Sequence, residues 1–366
     1  MNKWFTPRKK HATLHPKLNF LLDLQYEKER ELLLQWLDDF ESPDGEKKAI
    51  DQFQTTFHSV FFEVYLNKLL SLSGAQIDTS QTTPDFKVQT PELTYFVEAT
   101  VANFAHDINL EHTRTEKDVY GKVDHYKILD ESITRILHRL RVKNADFKGY
   151  GEEIKTSPFV IAVGDFSQVN YGQASYYAPL AVLYNAYHDS DNKTRLKILC
   201  EDSFNREYKY KERHGGRDQN KFELGLFASE KYKHISAVIY TCTLSLGKLT
   251  SLLPEHGFSP KYVCVEREAL RIIRKSGDSP DESLGDGVFV FHNPFAERPL
   301  DDSFLNMRGV SHVRYLEDEG LIEISCNETS PLVRRFTGPL ILAELQVPDF
   351  DEFIAVPVLP REEPEE

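Results

Sequence analysis

Pro84-Asp85-Phe86-Lys87-Val88, followed by Thr94-Tyr95-Phe96-Val97-Glu98-Ala99-Thr100-Val101, reads as two short strands separated by the turn-like Thr90-Pro91-Glu92. Alternation along the second strand puts Glu98 and Thr100 on one face and Ala99 on the other. Asp85, opening the first strand, falls beside Glu98 across the hairpin. Two carboxylates that close repel one another unless a cation or a proton joins them. Magnesium suits such a pair, with manganese as the alternative. It prefers oxygen ligands, binds through one or two carboxylates while keeping its waters, and activates one of those waters for attack.

Upstream, Gln52 to Ser71 carries Phe53, Phe57, Val60, Phe61 and Val64 at three- and four-residue steps, with Gly74 beyond its end. That spacing predicts one amphipathic helix. Glu63 shares a face of it with Ser59, Asn67 and Thr56, a polar stripe that suits either a site wall or solvent. Before it lies a charged helical pattern, Leu21 to Phe40, broken by Ser42-Pro43-Asp44-Gly45. Downstream, Val119 to Phe147 predicts a long helix with Val123, Tyr126, Leu129, Ile133, Ile136, Leu140 and Phe147 on one side. Lys143 falls in register with that apolar side. Either its stem covers apolar surface while its head reaches water, or a carboxylate or phosphate partners it. Lys68 and Lys148 point away by register. Gly149, Gly151 and a strand over Pro158 to Val163 complete a compact α/β unit ending near Asp165.

Beyond it, Tyr171 to Lys233 is rich in tyrosine and charge and shows no clear period. Strand patterns return at Ile235 to Thr241, Tyr262 to Glu266 and Gly287 to Phe291, to extend the same sheet or build a second layer. The domain plan is a helical extension over 1–51, a core over 52–168, an α/β extension or second subdomain over 169–356, and an acidic disordered tail over 357–366. The chain has 366 residues and a formal net charge of -14. That acidity opposes nonspecific binding to a polyanion and leaves local patches, Arg8 to Lys10 and Arg206 through Arg217, to supply any phosphate contact. Tyr208 and Tyr210, interleaved with Arg206, Lys209, Lys211 and Arg213, could stack on bases from a mobile loop, although a solvated charged loop accounts for them as well. Cys200, Cys242, Cys264 and Cys326 lie far apart without metal-ligand spacing and read as reduced core thiols. His292-Asn293-Pro294 reads as a turn ending a strand. No phosphate-binding glycine loop or G-x-S-x-G element is present, which ranks nucleotide hydrolysis and serine esterase chemistry low. The basic amino terminus lacks a secretory apolar run and no stretch is long and apolar enough to span a bilayer, so a cytoplasmic protein is expected.

Pro84-Asp85 followed by Glu98-Ala99-Thr100, with Glu63 on the preceding helix, resembles the PD-(D/E)xK nuclease superfamily, whose restriction-endonuclease-like core runs helix, three strands, helix, strand. The Phe53-Gln54-Thr55-Thr56-Phe57 segment, the Phe61-Phe62-Glu63-Val64-Tyr65-Leu66 run and His292-Asn293-Pro294 resemble a bacterial group with this core. The resemblance covers Gln52 to Asp165. It implies an α/β fold with a mixed sheet between helices, elaborated at both ends, and Mg2+-dependent endonuclease hydrolysis of DNA phosphodiesters, with RNA as the alternative substrate. It further implies that Asp85, Glu98 and the Ala99 carbonyl hold the metal, while Glu63 holds a second ion or a water of the first. Thr100 stands where the family usually has lysine, and cannot stabilise developing phosphate charge as an ammonium does. Lys143 is the candidate to supply that charge, leaving Thr100 to hydrogen-bond the attacking water. The other reading is a catalytically inactive nuclease-fold module that binds nucleic acid or protein. No membrane partner is implied, and a homo-oligomer is compatible with either reading.

Overall fold

The computed structural model describes residues 2–10, 13–103, 125–168, 174–187, 194–200, 206–212, 224–253, 258–265, 272–276, 282–326 and 332–339. Four helices open the fold: α1 (Pro16–Leu22), α2 (Glu27–Asp38), α3 (Glu46–Thr55) and α4 (His58–Leu72). Strands β1 (Gln76–Asp78), β2 (Phe86–Gln89) and β3 (Thr94–Asn103) follow, then α5 (His125–Asp146), the short α6 (Glu152–Lys155) and β4 (Phe159–Phe166). The later elements are α7 (Tyr177–Tyr184), β5 (Ala186–Tyr187), β6 (Thr194–Cys200), β7 (Arg206–Glu212), β8 (Ile235–Thr241) and α8 (Leu246–Ser251). The last are β9 (Phe258–Val265), β10 (Ile272–Ser276), β11 (Val288–His292), β12 (Val310–Leu316), β13 (Leu321–Cys326) and β14 (Leu332–Pro339).

The chain is a mixed α/β protein. Eleven strands form one sheet in the order β1-β2-β3-β4-β8-β11-β12-β13-β6-β7-β5, and β10-β9-β14 form a second, three-stranded sheet. The first three strands pair antiparallel, whereas β3, β4 and β8 run parallel. All eight residues of β4, all seven of β8 and all five of β11 are buried. Their mostly apolar sequences follow from helices covering both faces of the sheet. On one face Val97, Val160, Ala162 and Ile239 pack with α1 to α4. On the other Phe96, Ile161, Val163 and Tyr240 pack with α5 and α7. β8 and β11 therefore extend the first sheet, while β9 belongs to the second layer. Of the described strands of 169–356, β5 to β8 and β11 to β13 continue the sheet of the 52–168 core, and β9, β10 and β14 do not.

Several expectations are corrected. The Gln52 to Ser71 helix is two helices, α3 and α4, because the N–H groups of Thr56 and Phe57 both bond the Gln52 carbonyl, at 2.8 and 2.9 Å. Phe57 takes a positive φ of 53° at the break. Its buried ring then sits among Phe53, Phe61 and His15, packing that outweighs the conformational cost. The polar stripe around Glu63 is likewise broken: Thr56 ends α3, and Asn67 is buried with its amide donating to the Asp39 carbonyl at 3.2 Å. The Leu21 to Phe40 pattern divides at Asp23, whose extended backbone ends α1 and whose carboxylate caps a 3-10 turn over Leu24–Tyr26. Residues Arg206 to Glu212 form strand β7 paired with β6 rather than a loop, since the Thr194 to Cys200 edge accepts them. Of the same basic segment, Arg213 to Arg217 lie outside the described residues, as do Val119 to Asp124 of the long helix, Glu266 and the tail over 357–366. Cys242 and Cys326 are buried and not in disulfides. Asn293 confirms the turn, its side chain donating to the Tyr232 and Ile235 carbonyls at 3.1 and 2.8 Å and accepting from Phe295 N–H. No described helix is long and apolar enough to cross a membrane.

Two buried polar knots tie the layers. Asp165, at the end of β4, accepts from Ser132 of α5 at 2.5 Å, from Tyr240 of β8 at 3.0 Å and from the Ser167 backbone at 3.0 Å. Lys248 of α8 donates to Glu282 at 2.7 Å and to the carbonyls of Ser283 and Asp286 at 2.7 and 2.8 Å. Its side chain and that of Glu282 are each 1% exposed. Removing one ion of such a pair strands the other in low dielectric. Lys248→Met is expected to lower unfolding free energy by about 3–5 kcal/mol, with Lys248→Met/Glu282→Gln recovering much of it. Urea denaturation reads both, and a single variant within about 1 kcal/mol of the parent would refute the pairing's importance.

Candidate functional site

The β2–β3 hairpin pairs Phe86 with Val97 and Gln89 with Thr94. Continuing that register by one step sets Asp85 opposite Glu98, as the strand alternation requires. Asp85 accepts a hydrogen bond from the Ala99 N–H at 2.7 Å, which fixes its carboxylate at the head of β2. Glu98 and Thr100 share the parity of Phe96 and Ala102, which belong to the core on the α5 side. Across that face, Lys143 near the end of α5 forms an ion pair with Glu98 Oε1. Of the two readings of a lysine on an apolar helix face, the structure shows the partnered one, with Glu98 as the carboxylate. Leu129, Ile133, Ile136 and Leu140 hold α5 on the sheet and so place Lys143 there.

Glu98 is 3% exposed, and its Oε2 is buried with no hydrogen-bond partner among the described residues. Glu63 comes from α4, which packs on the opposite face, and is only partly buried. Burial first, then the neighbouring charges of Asp85, Asp44 and Glu98, push its carboxyl up to about 8. Asp85 is moved the same way by burial and by Glu98, against the opposing pull of the Ala99 N–H and Lys143. For Lys143, burial draws the ammonium down, but Glu98 and behind it Asp85 and Asp146 outweigh burial and hold it above the ordinary lysine range. Glu63, Asp85, Glu98 and Lys143 thus bear on one another's ionisation, with acids outnumbering the single base. Thr100 is partly buried on β3, paired with Val163 of β4. Lys68 and Lys148 stay apart from these four: Lys68 lies 3.3 Å from Asp39, and Lys148 is exposed.

Two members escape a reading of the sequence. Asp44, in the turn before α3, adds charge to both Glu63 and Asp85. At Tyr150, just past α5, burial first and then the charge of Glu98 push the phenol's ionisation well above the usual range. Local pattern marks neither, because a turn aspartate and a tyrosine between glycines fit many settings.

Among the described residues, no three His, Cys, Asp or Glu side chains are already disposed as ligands of one ion. A hard divalent cation needs fewer, since magnesium commonly takes one or two carboxylates and keeps several waters. The donors present fit that demand: an unpartnered buried oxygen on Glu98, Asp85 beside it, and an excess of negative charge that a proton or cation would relieve. Compared with protein-family models, curated proteins and solved structures, the chain matches none of them.

Proposed function

We propose that the chain is a Mg2+-dependent endonuclease that hydrolyses DNA phosphodiesters on a restriction-endonuclease-like core. The observation that carries this reading is the Lys143–Glu98 ion pair beside Asp85, which joins two acids and one base on a single face. The element order supports it as well: α4, three antiparallel strands, α5, then β4 parallel to β3. When bound, the cation supplies Lewis-acid stabilisation of phosphate charge and a water made nucleophilic at neutral pH. Asp85 and Glu98 hold it with help from the Ala99 carbonyl, and Glu63 faces the same charge from α4. Lys143, once drawn from Glu98, orients the attacking water or neutralises a phosphate oxygen as charge develops, the task that the family assigns to a lysine two places after the glutamate. Thr100 hydrogen-bonds the water without supplying charge.

The net charge of -14 and the threonine at position 100 favour a second reading, an inactive nuclease-fold module that binds nucleic acid or protein. Purified protein incubated with supercoiled plasmid and Mg2+ beside Asp85→Ala separates the two. Nicking or linearisation by the parent alone supports cleavage. Retention of plasmid in a gel shift with no cutting by either protein favours the module.

A further inference from the structure

Lys87 of β2 lies two residues beyond Asp85 and so on the same side of the strand. It pairs with Phe96 of β3, whereas the same register continued puts Asp85 opposite Glu98, so Lys87 stands one cross-strand row from the two acids. Its ammonium is 5.8 Å from the centre of the Phe96 ring, on the face of the sheet that α5 covers. The charged end forms an ion pair with Glu153 of α6, whose side chain is 62% exposed against 20% for Lys87. Asp78, opposite Lys87 on β1, turns instead to the Ser80 N–H at 2.9 Å. An acid as exposed as Glu153 is well hydrated and holds its partner weakly. Lys87 and Lys143 thus bring two ammonium groups to one face, Lys143 at the Glu98 row and Lys87 one row along.

We propose that Lys87 is a nucleic-acid contact, its ammonium leaving Glu153 to bind the backbone phosphate next to the one held at Asp85 and Glu98. The proposal rests on the reading of that site as a nuclease and adds a substrate contact to it. Two residues of extended strand span about 7 Å, similar to one nucleotide step of a sugar-phosphate backbone. With one phosphate at the acids, its neighbour therefore comes within reach of Lys87. The exchange is chemically simple: an ammonium donates up to three hydrogen bonds, and a phosphate oxygen accepts them as a carboxylate oxygen does. In a chain of net charge -14, cations placed along the substrate's path are what admits a polyanion.

Lys87→Met keeps an apolar stem beside Phe96 and removes the charge, while Glu153→Gln keeps the lysine and removes its rival for it. Binding of a fluorescent DNA duplex to the full chain, read by anisotropy across a KCl series in EDTA, tests both. Lys87→Met is expected to bind about 3- to 10-fold more weakly, with the slope of log K against log salt shallower by about 1. Glu153→Gln is expected to bind more tightly than the parent, and more tightly than Glu152→Gln, which makes the same change of charge on the same turn. The urea midpoints of all three are expected to match the parent's. Affinity and salt slope at parent values in both Lys87→Met and Glu153→Gln overturn the proposal, and plasmid cutting by the parent then leaves the nuclease reading intact. A Lys87-dependent slope in a chain that never cuts DNA keeps Lys87 as a phosphate contact and removes cleavage. A parent that binds no duplex, in EDTA or with Mg2+, overturns both.

Discussion

Under the proposed nuclease function, Lys143→Met is expected to lower plasmid cleavage by at least about 100-fold, and in any case to destabilise the fold by about 2 kcal/mol. The two effects have separate causes. The stability loss comes from Glu98, whose side chain is 4% exposed and would lose its ion-pair partner. It is smaller than for a fully dry pair because Lys143 is 22% exposed and its ammonium is partly hydrated. The cleavage loss comes from removing the cation that pairs with Glu98 and can meet the developing phosphate charge. Lys143→Met/Glu98→Gln should therefore recover most of the stability and none of the cleavage. Lys143→Arg should keep the stability, with partial cleavage, because the planar fork places its charge differently. Equal cutting by Lys143→Met and the parent would remove Lys143 from the chemistry. An unchanged urea midpoint would show that the ion pair contributes little to folding.

Glu63→Gln is expected to raise stability at pH 8 by about 2–3 kcal/mol and to change it little at pH 4. The folded Glu63 carboxyl titrates at about 8, against 4.5 for an unperturbed glutamate. Through that interval the folded chain keeps a proton that the unfolded chain releases, so stability is greatest below about 4.5 and falls as pH rises toward 8. Asp85, shifted in the same direction, adds to the fall. Glutamine mimics the protonated acid and removes Glu63's share of the slope. Millimolar Mg2+ should work the same way in the parent, raising Tm more at pH 8 than at pH 5, because bound cation replaces the proton and stabilises the folded state by mass action. Thermal melts of parent and variant across this range, with and without Mg2+, provide the check. Parallel pH curves for the two proteins would show that Glu63 does not carry the strain, and a Tm indifferent to Mg2+ at pH 8 would count against a cation at this site.

The parts of the site legible in the sequence are those whose signal is local or energetically forced. Asp85 and Glu98 sit on a hairpin whose turn and alternation lie within a short stretch, so their juxtaposition could be read directly, and the structure's register agrees. Lys143 was legible for another reason. An ammonium on the apolar stripe of α5 must either reach water or find a partner, and the fold decided for a partner, Glu98. The division of the Gln52 to Ser71 helix was not legible, because the same apolar spacing continues through Thr56 and Phe57. It is the cage of Phe53, Phe61 and His15 around the Phe57 ring that favours the break. Asp44 and Tyr150 reach the site across long stretches of chain, where no period connects them to Glu98.

By itself the sequence determined an α/β protein with helices around paired strands, the hairpin carrying two acids, and a lysine on an apolar helix face. These follow from side-chain periodicity and turn chemistry, which act over a few residues, and they left open whether the lysine reached water or a partner. Tertiary structure alone decided that β8 and β11 continue the first sheet while β9 joins a second, that α3 and α4 are separate, and that Lys143 meets Glu98 beside Asp85. Strand partnership and the desolvation of charge depend on what packs from distant parts of the chain, and that is settled only when the two faces of the sheet are closed.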